Sequence, residues 1–135
     1  MDNLTALQRQ ATMRAVRSKD TSPEMFVRRL IHALGYRYRL HDQRLPGCPD
    51  MVFPVRKKLI FIHGCFWHGH RCPAGLNRPA SNKAYWRAKL MRNRLRDARH
   101  VRDLRKLGWK ILTIWECEIR SPGLRRRLIH FLEKR

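Results

Sequence analysis

The segment from Leu59 to Ala80 restricts the fold most. It opens with Leu59-Ile-Phe-Ile62, a continuous apolar run, and passes straight into His63–Ala80, a stretch rich in Gly, His, Cys and Pro. A run with no polar alternation belongs to a central strand, buried on both faces of a sheet. A loop this long without a hydrophobic pattern of its own needs a reason to be ordered. The chain must therefore cover both faces of a sheet and hold a long polar loop at the end of its central strand.

The flanking sequence supplies the covering elements. Ser22-Pro23-Glu24 starts a helix: a cap, a proline at the first position and an acid in the first turn. Phe26, Val27, Leu30, Ile31 and Leu34 follow at helical spacing, and Gly35 stops it. Tyr36–Leu40 alternates as a half-buried strand. Asp50–Val55 predicts a second strand, with Pro54 at an edge or bulge, and Arg56-Lys57-Lys58 reads as the hairpin turn into the apolar run. Ser81 or Asn82 caps a long helix, about Lys83–Leu107, with Tyr85, Ala88, Met91, Leu95, Ala98, Val101 and Leu104 as its apolar stripe. Trp109–Trp115 is a strand, and Ser121-Pro122 opens a last helix with Leu124, Leu128, Phe131 and Leu132 inward. The order αβββαβα, with a long connection before the last strand, makes part of the sheet parallel. At 135 residues the length suits one domain spanning 1–135, with 1–20 as a basic N-terminal arm or helix.

Charge narrows the partners. Lys and Arg number 31 against 10 Asp and Glu, a net +21, which points to a polyanion: DNA, RNA or an anionic membrane surface. No stretch of ~18 apolar residues exists to cross a bilayer. The N-terminus lacks the hydrophobic region of a signal peptide, so the expectation is cytoplasmic, without a membrane partner. At 43% hydrophobic residues the chain is no disordered basic tail. The charge concentrates on the long helix, where eleven Lys and Arg between Lys83 and Lys110 face only Asp97 and Asp103. Balanced pairs would be usual on a merely solvated face. Arg92, Arg96 and Arg99 are candidates to reach nucleic acid.

Cys65-x4-His70-x-Cys72 is compact, and Cys117 follows 45 residues after Cys72, just past a strand. Without a secretory signal, cysteines read as metal ligands or free thiols rather than disulfides. Three Cys and one His suit tetrahedral Zn²⁺, although buried thiols and a surface histidine would also give this pattern. Cys48, in Leu-Pro-Gly-Cys-Pro, stands apart and reads as a small buried hydrophobe.

Ten carboxylates leave few candidates for catalysis. Asp97, Asp103 and Glu133 sit among Arg and Lys on helices and read as solvated ion-pair partners. Asp50 opens an apolar strand, and the next strand leads to His63 and His68. A carboxylate there can hold Mg²⁺, with a histidine to deprotonate water; a turn cap accounts for Asp50 equally well. Glu24 on its own is a helix-dipole acid. Phe66, Trp67 and Trp86 either pack the core or act as apolar wedges that enter a base step.

Taken together, Asp50, Phe61-Ile-His-Gly-Cys-Phe-Trp-His68, Cys72 and Trp115-Glu-Cys117 resemble the very-short-patch-repair (Vsr) DNA mismatch endonucleases. The likeness runs from Met13-Arg-Ala to about Arg120 and includes Leu45-Pro-Gly-x-Pro-Asp50 and Leu107-Gly-Trp-Lys-Ile-Leu. It implies an α/β restriction-endonuclease-like fold of PD-(D/E)XK type: three layers, a mixed central sheet flanked by helices, and a zinc-stabilised loop. It implies Mg²⁺ on Asp50 and the main-chain carbonyl of Ile62. His68 and Glu24 would handle the attacking water, with His63 beside the scissile phosphate. It further implies structural Zn²⁺ on Cys65, His70, Cys72 and Cys117, and Phe66, Trp67 and Trp86 entering duplex DNA at a T:G mismatch. The chain departs from the family at Ile62, often Thr, at Cys48, usually Arg, and in a diluted histidine run at His68-Gly69-His70-Arg71.

The expected function is thus Mg²⁺-dependent, strand-specific nicking of DNA beside the thymine of a T:G mismatch, by a bacterial protein of the cytoplasm associated with the nucleoid. The expected enzyme is a monomer working with mismatch-repair proteins. Two alternatives remain: a zinc-stabilised nucleic-acid-binding protein without catalysis, and a nickase for other DNA structures.

Overall fold

The first helix begins one residue earlier than the sequence places it, with Ser22 already inside it and Thr21 taking the cap position. The computed structural model describes residues 21–76 and 80–134, and here α1 spans Ser22–Ala33 with Thr21 at its cap. The expected basic arm at 1–20 lies outside the described residues. After α1 come β1 (Arg39–Leu40), β2 (Met51–Phe53) and β3 (Lys58–His63). A single turn, α2 (Pro73–Leu76), then precedes the long α3 (Lys83–Lys106). The chain ends with β4 (Lys110–Trp115), a 3-10 turn at Glu116–Glu118 and α4 (Leu124–Glu133).

The sheet order is β1-β2-β3-β4. β1 and β2 pair antiparallel, as do β2 and β3, while β3 and β4 run parallel from Lys58↔Lys110 to His63↔Trp115. The mixed sheet follows from connection length: a tight turn returns β2 into β3, whereas α3 carries the crossover into β4. That turn occupies Pro54–Lys57 rather than 56–58, closed by the Lys57 N–H on the Pro54 carbonyl at 3.1 Å. Tyr36–Leu40 contributes only two strand residues.

Side chains of alternate parity face opposite layers. Met51, Phe53, Ile60 and Ile114 pack with Val27 and Ile31 of α1 and with Leu124, Leu128 and Leu132 of α4. Val52, Leu59 and Phe61 pack on the other face with Leu104 of α3. Five of the six β3 residues are buried, as the apolar run requires. Two of these five are polar, Lys58 and His63, and the Lys58 ammonium donates to the carbonyls of Phe131, Leu132 and Lys134. Those are orphan acceptors at the end of α4, where a cation is favourable.

The long helix corrects the expected stripe. Tyr85, Met91 and Leu95 are 49%, 50% and 63% exposed, whereas Leu90, Asn93 and Leu104 are buried and Trp86, Asp97 and His100 partly so. Residues 86, 90, 93, 97, 100 and 104 share one face at alternating steps of four and three. The period was legible and the phase was not, because the inward face carries polar side chains. Asn82, one of the two expected residues, stands at the N-cap with φ 55, but its side chain makes no capping bond.

Candidate active site and metal centre

The polar face of α3 closes a cleft of about 1200 Å³ over the mouth of β2 and β3. Glu24 from α1, Asp50 before β2, His63 at the end of β3 and His68 after it all line it, as do Asp97 and Arg96 of α3. Extending the β2–β3 register sets Pro49 opposite Ile62. Proline has no N–H, so it cannot donate to the Ile62 carbonyl, which points to the same side as the Ile62 amide. The Asp50 carboxylate takes that amide, with Oδ2 2.6 Å from the nitrogen. Pro49-Asp50 thus leaves a main-chain oxygen without its ladder donor next to a carboxylate.

Burial, and then the charge and hydrogen bond of Glu24, push Asp50 up to about 7 against the lowering effect of the Ile62 amide. Two carboxylates in a buried corner resist joint ionisation unless a cation sits with them. Glu24 is only 3% exposed. Its Oε2 is 2.8 Å from His41 Nε2 and accepts from Arg28 Nη1 at 3.3 Å. Donor atoms of Glu24, His41 and Asp50 lie within 4.8 Å of one another, a group that can hold a metal ion.

On the other side of the cleft, His68 Nδ1 lies 2.5 Å from Asp97 Oδ2. The hydrogen bond and charge of His68 hold the Asp97 carboxyl below its usual range although burial works the other way. His63 stacks on His68 with ring centroids 3.8 Å apart and 3° between planes, and Trp115 meets it edge-on. Burial drives His63 down to about 3, so its ring stays neutral. Its buried Nδ1 has no protein hydrogen-bond partner among the described residues, the situation of a polar atom awaiting a ligand or water. The expected pairing of Glu24 with His68 resolves into two pairs: Glu24 bonds His41 and Arg28, and His68 bonds Asp97. Both pairs open on the same cleft.

Phe66, Trp67 and Trp86 form one half-buried aromatic cluster, with centroid distances of 5.0, 5.4 and 6.1 Å. The Asn93 amide fixes it by donating to the Trp67 carbonyl at 2.8 Å. Phe66 and Trp67 reach the cleft. Arg92, Arg96 and Arg99 follow one another along one flank of α3 at spacings of four and three, and Arg96 lines the cleft. Cys48 lines the cleft with φ 47, outside the cysteine cluster described next.

Cys65, His70, Cys72 and Cys117 bring their donor atoms within 4.8 Å of one another. The parallel register explains why: His63↔Trp115 places Cys65 and Cys117 each two residues past the end of paired strands. The Cys117 and Gly75 amides donate to the sulfurs of Cys65 and Cys72, each at 3.4 Å, the outer bonds that steady thiolate ligands. His70 stacks on Trp115 at 4.1 Å with its Nδ1 3.6 Å from Cys117 Sγ. A Cβ at Gly75 would meet the His70 carbonyl oxygen at 1.9 Å, so only glycine lets α2 close on the cluster. Burial pushes Cys65 up to about 12, whereas the His70 hydrogen bond and the Gly75 amide draw Cys72 down to about 6. Four N and S donors in this space fit a tetrahedral ion.

Two residues escaped the sequence reading. The basic chain neighbours of Asp97 give it the look of a solvated acid, yet its spacing from Asn93 and His100 puts it on the inward face. His41 carried no signal beyond its place after β1.

Comparison with known proteins fits this arrangement. Residues 1–74 match the family described as DNA mismatch endonuclease Vsr. The chain is 47% identical over 133 residues to Type II nicking enzyme V.XorIIP of Xanthomonas oryzae pv. oryzae, covering 98% of this chain and 97% of that protein. It is 39% identical over 131 residues to Type II nicking enzyme V.NmeAIP of Neisseria meningitidis, covering 97% and 93%. It is also 39% identical over 113 residues to DNA mismatch endonuclease Vsr of Escherichia coli K12, covering 84% and 72%. The chain belongs to the DNA mismatch endonuclease Vsr family and is a DNA endonuclease.

Proposed function

We propose that this endonuclease nicks one strand of duplex DNA beside the thymine of a T:G mismatch, with Mg²⁺ as catalytic ion and Zn²⁺ as structural ion. The observation that carries the reading is a single cleft holding Asp50, His63, the His68–Asp97 pair, Phe66 and Trp67. A restriction-endonuclease-like core of PD-(D/E)XK type is the fold this reading assumes.

Asp50 and the Ile62 carbonyl are the oxygen donors for Mg²⁺, a hard ion that keeps most of its waters. When bound, the ion supplies charge stabilisation at the phosphate and a more acidic water. The remaining steps belong to side chains. Asp97 fixes the His68 ring with its proton on Nδ1, which leaves Nε2 to accept a proton from water. Neutral His63 faces the scissile phosphate and donates a hydrogen bond to it without adding a charge. Glu24 helps orient the attacking water. Cys65, His70, Cys72 and Cys117 hold Zn²⁺ and tie the histidine loop to the end of β4.

Mismatch choice needs more than charge, since phosphate contacts carry no sequence information. A T:G pair unstacks more easily than a matched pair, and Phe66, Trp67 and Trp86 exploit that by entering the base step. Arg92, Arg96 and Arg99 contact phosphates. No helix among the described residues is long and apolar enough to cross a membrane. The test is a panel of end-labelled duplexes: T:G, other mismatches and matched. Preferential single-strand cleavage at T:G supports the reading. Equal cleavage of all duplexes means a nickase for other structures, and binding without cleavage means a binding module.

A further inference from the structure

The corner formed by Glu24, His41 and Asp50 contains a nitrogen donor that the proposed chemistry leaves unused. Its three donor atoms lie within 4.8 Å of one another. Ligands around one divalent ion, with bonds of about 2.1–2.3 Å, sit roughly 3–4.4 Å apart. A small inward shift therefore closes these three on a cation. His41 is held for that task from two sides. Its backbone N–H donates to the Asp50 carbonyl at 3.2 Å, and its ring Nε2 lies 2.8 Å from Glu24 Oε2. Its φ of 46 is left-handed, a conformation that short polar residues accept better than others. The ring is 12% exposed and faces the cleft that Glu24 and Asp50 line. Arg28, the other group on Glu24 Oε2, leaves acceptor sites on that carboxylate free, because a carboxylate offers about four.

We propose that His41 is a direct ligand of the divalent cation beside Asp50, making a carboxylate–imidazole–carboxylate site that accepts Mn²⁺ as well as Mg²⁺. The inference rests on the reading that Asp50 binds a divalent cation, and it adds a nitrogen ligand to that ion's shell. Mg²⁺ favours an all-oxygen shell, whereas Mn²⁺ stands above it in readiness to accept imidazole nitrogen. Coordination puts the one proton of the neutral ring on Nδ1 while Nε2 binds the metal, and a proton held on the Asp50 carboxyl leaves to solvent as the cation enters.

The experiment uses the full-length, zinc-loaded chain without DNA. Mn²⁺ is titrated and followed by electron paramagnetic resonance, and the bound ion is examined for ¹⁴N coupling by electron spin echo modulation. The expected result is one bound Mn²⁺ with imidazole nitrogen coupling in the wild type. His41→Asn, which keeps a residue suited to the left-handed backbone, should lose the coupling and weaken Mn²⁺ at least ~10-fold, a change that fits one lost ligand. Mg²⁺ affinity by calorimetry should move less than about threefold. Failure of the wild type to bind Mn²⁺, absence of nitrogen coupling in it, or unchanged coupling in His41→Asn overturns the proposal. The wild-type spectrum decides even where the variant misfolds. Nicking of T:G DNA in Mg²⁺ without nitrogen coupling would leave the nicking account standing and this inference refuted.

Discussion

Replacing Asp97 by Asn is the sharpest probe of the cleft. The change is nearly isosteric, so the aromatic cluster and the helix should survive. It removes the negative charge 2.5 Å from His68 Nδ1. A hydrogen bond to a charged group contributes about 1.5–3 kcal/mol, which is roughly 10- to 150-fold in rate if it acts on the protonated imidazole in the transition state. If the amide also presents its NH₂ to Nδ1, the ring adopts the wrong tautomer, and losses near 10⁴-fold are known for that failure in another Asp–His pair. The expected fall in single-turnover nicking is therefore about 10- to 10⁴-fold, with DNA affinity within about threefold. Asp103→Asn is the control: that acid is also on α3 but is 44% exposed and pairs only at the surface with Arg102. Nicking by Asp97→Asn within threefold of the wild type would refute the claim that Asp97 orients a catalytic His68.

Cys117→Ser should release zinc and cost about 3 kcal/mol, lowering Tm by roughly 10 °C, while Cys48→Ser keeps a full zinc complement; elemental analysis and calorimetry read both, and retained zinc in Cys117→Ser counts against the assigned cluster. Trp67→Ala should narrow the preference for T:G over T:A binding, whereas neutralising Arg96 should weaken both duplexes alike and flatten the salt slope by about one unit; equal weakening by Trp67→Ala would return that side chain to packing. Asp50 rises from 3.8 to about 7 in the fold, so in magnesium-free buffer the folded chain keeps a proton that the unfolded chain loses, and wild-type stability falls as pH rises from about 4 to 7. The stability of Asp50→Asn relative to wild type should grow across that window in urea unfolding, and a constant difference would contradict the buried, cation-seeking carboxylate.

What the sequence disclosed and what it hid share one cause. The apolar run at Leu59–Ile62 could only be central, and the proline and acid at Pro23-Glu24 could only start a helix, so the layers and the partly parallel sheet followed. The cysteine cluster was legible because ligand chemistry is recognisable without coordinates, although the register that brings Cys65 to Cys117 is visible only in the sheet. The phase of α3 was misread because apolar periodicity assumes that the buried face is the oily one. Here the buried face borders a polar cleft, so Asn93, Asp97 and His100 point inward while Met91 and Leu95 face outward. Asp97 was lost for the same reason, and its partner His68 comes from a loop 29 residues away. His41 was invisible because its role depends on a left-handed turn meeting α1.

The central claim is that Asp50 and the histidines it faces make this cleft a metal-dependent nickase. Single-turnover cleavage of a T:G duplex labelled on each strand, with and without Mg²⁺, by wild type and Asp50→Ala, tests it most directly. The account predicts a single break on the thymine strand by the wild type in Mg²⁺, no break without the ion, and none with Asp50→Ala even where it binds the duplex normally. Metal-independent cleavage, or wild-type cleavage by Asp50→Ala, would contradict it.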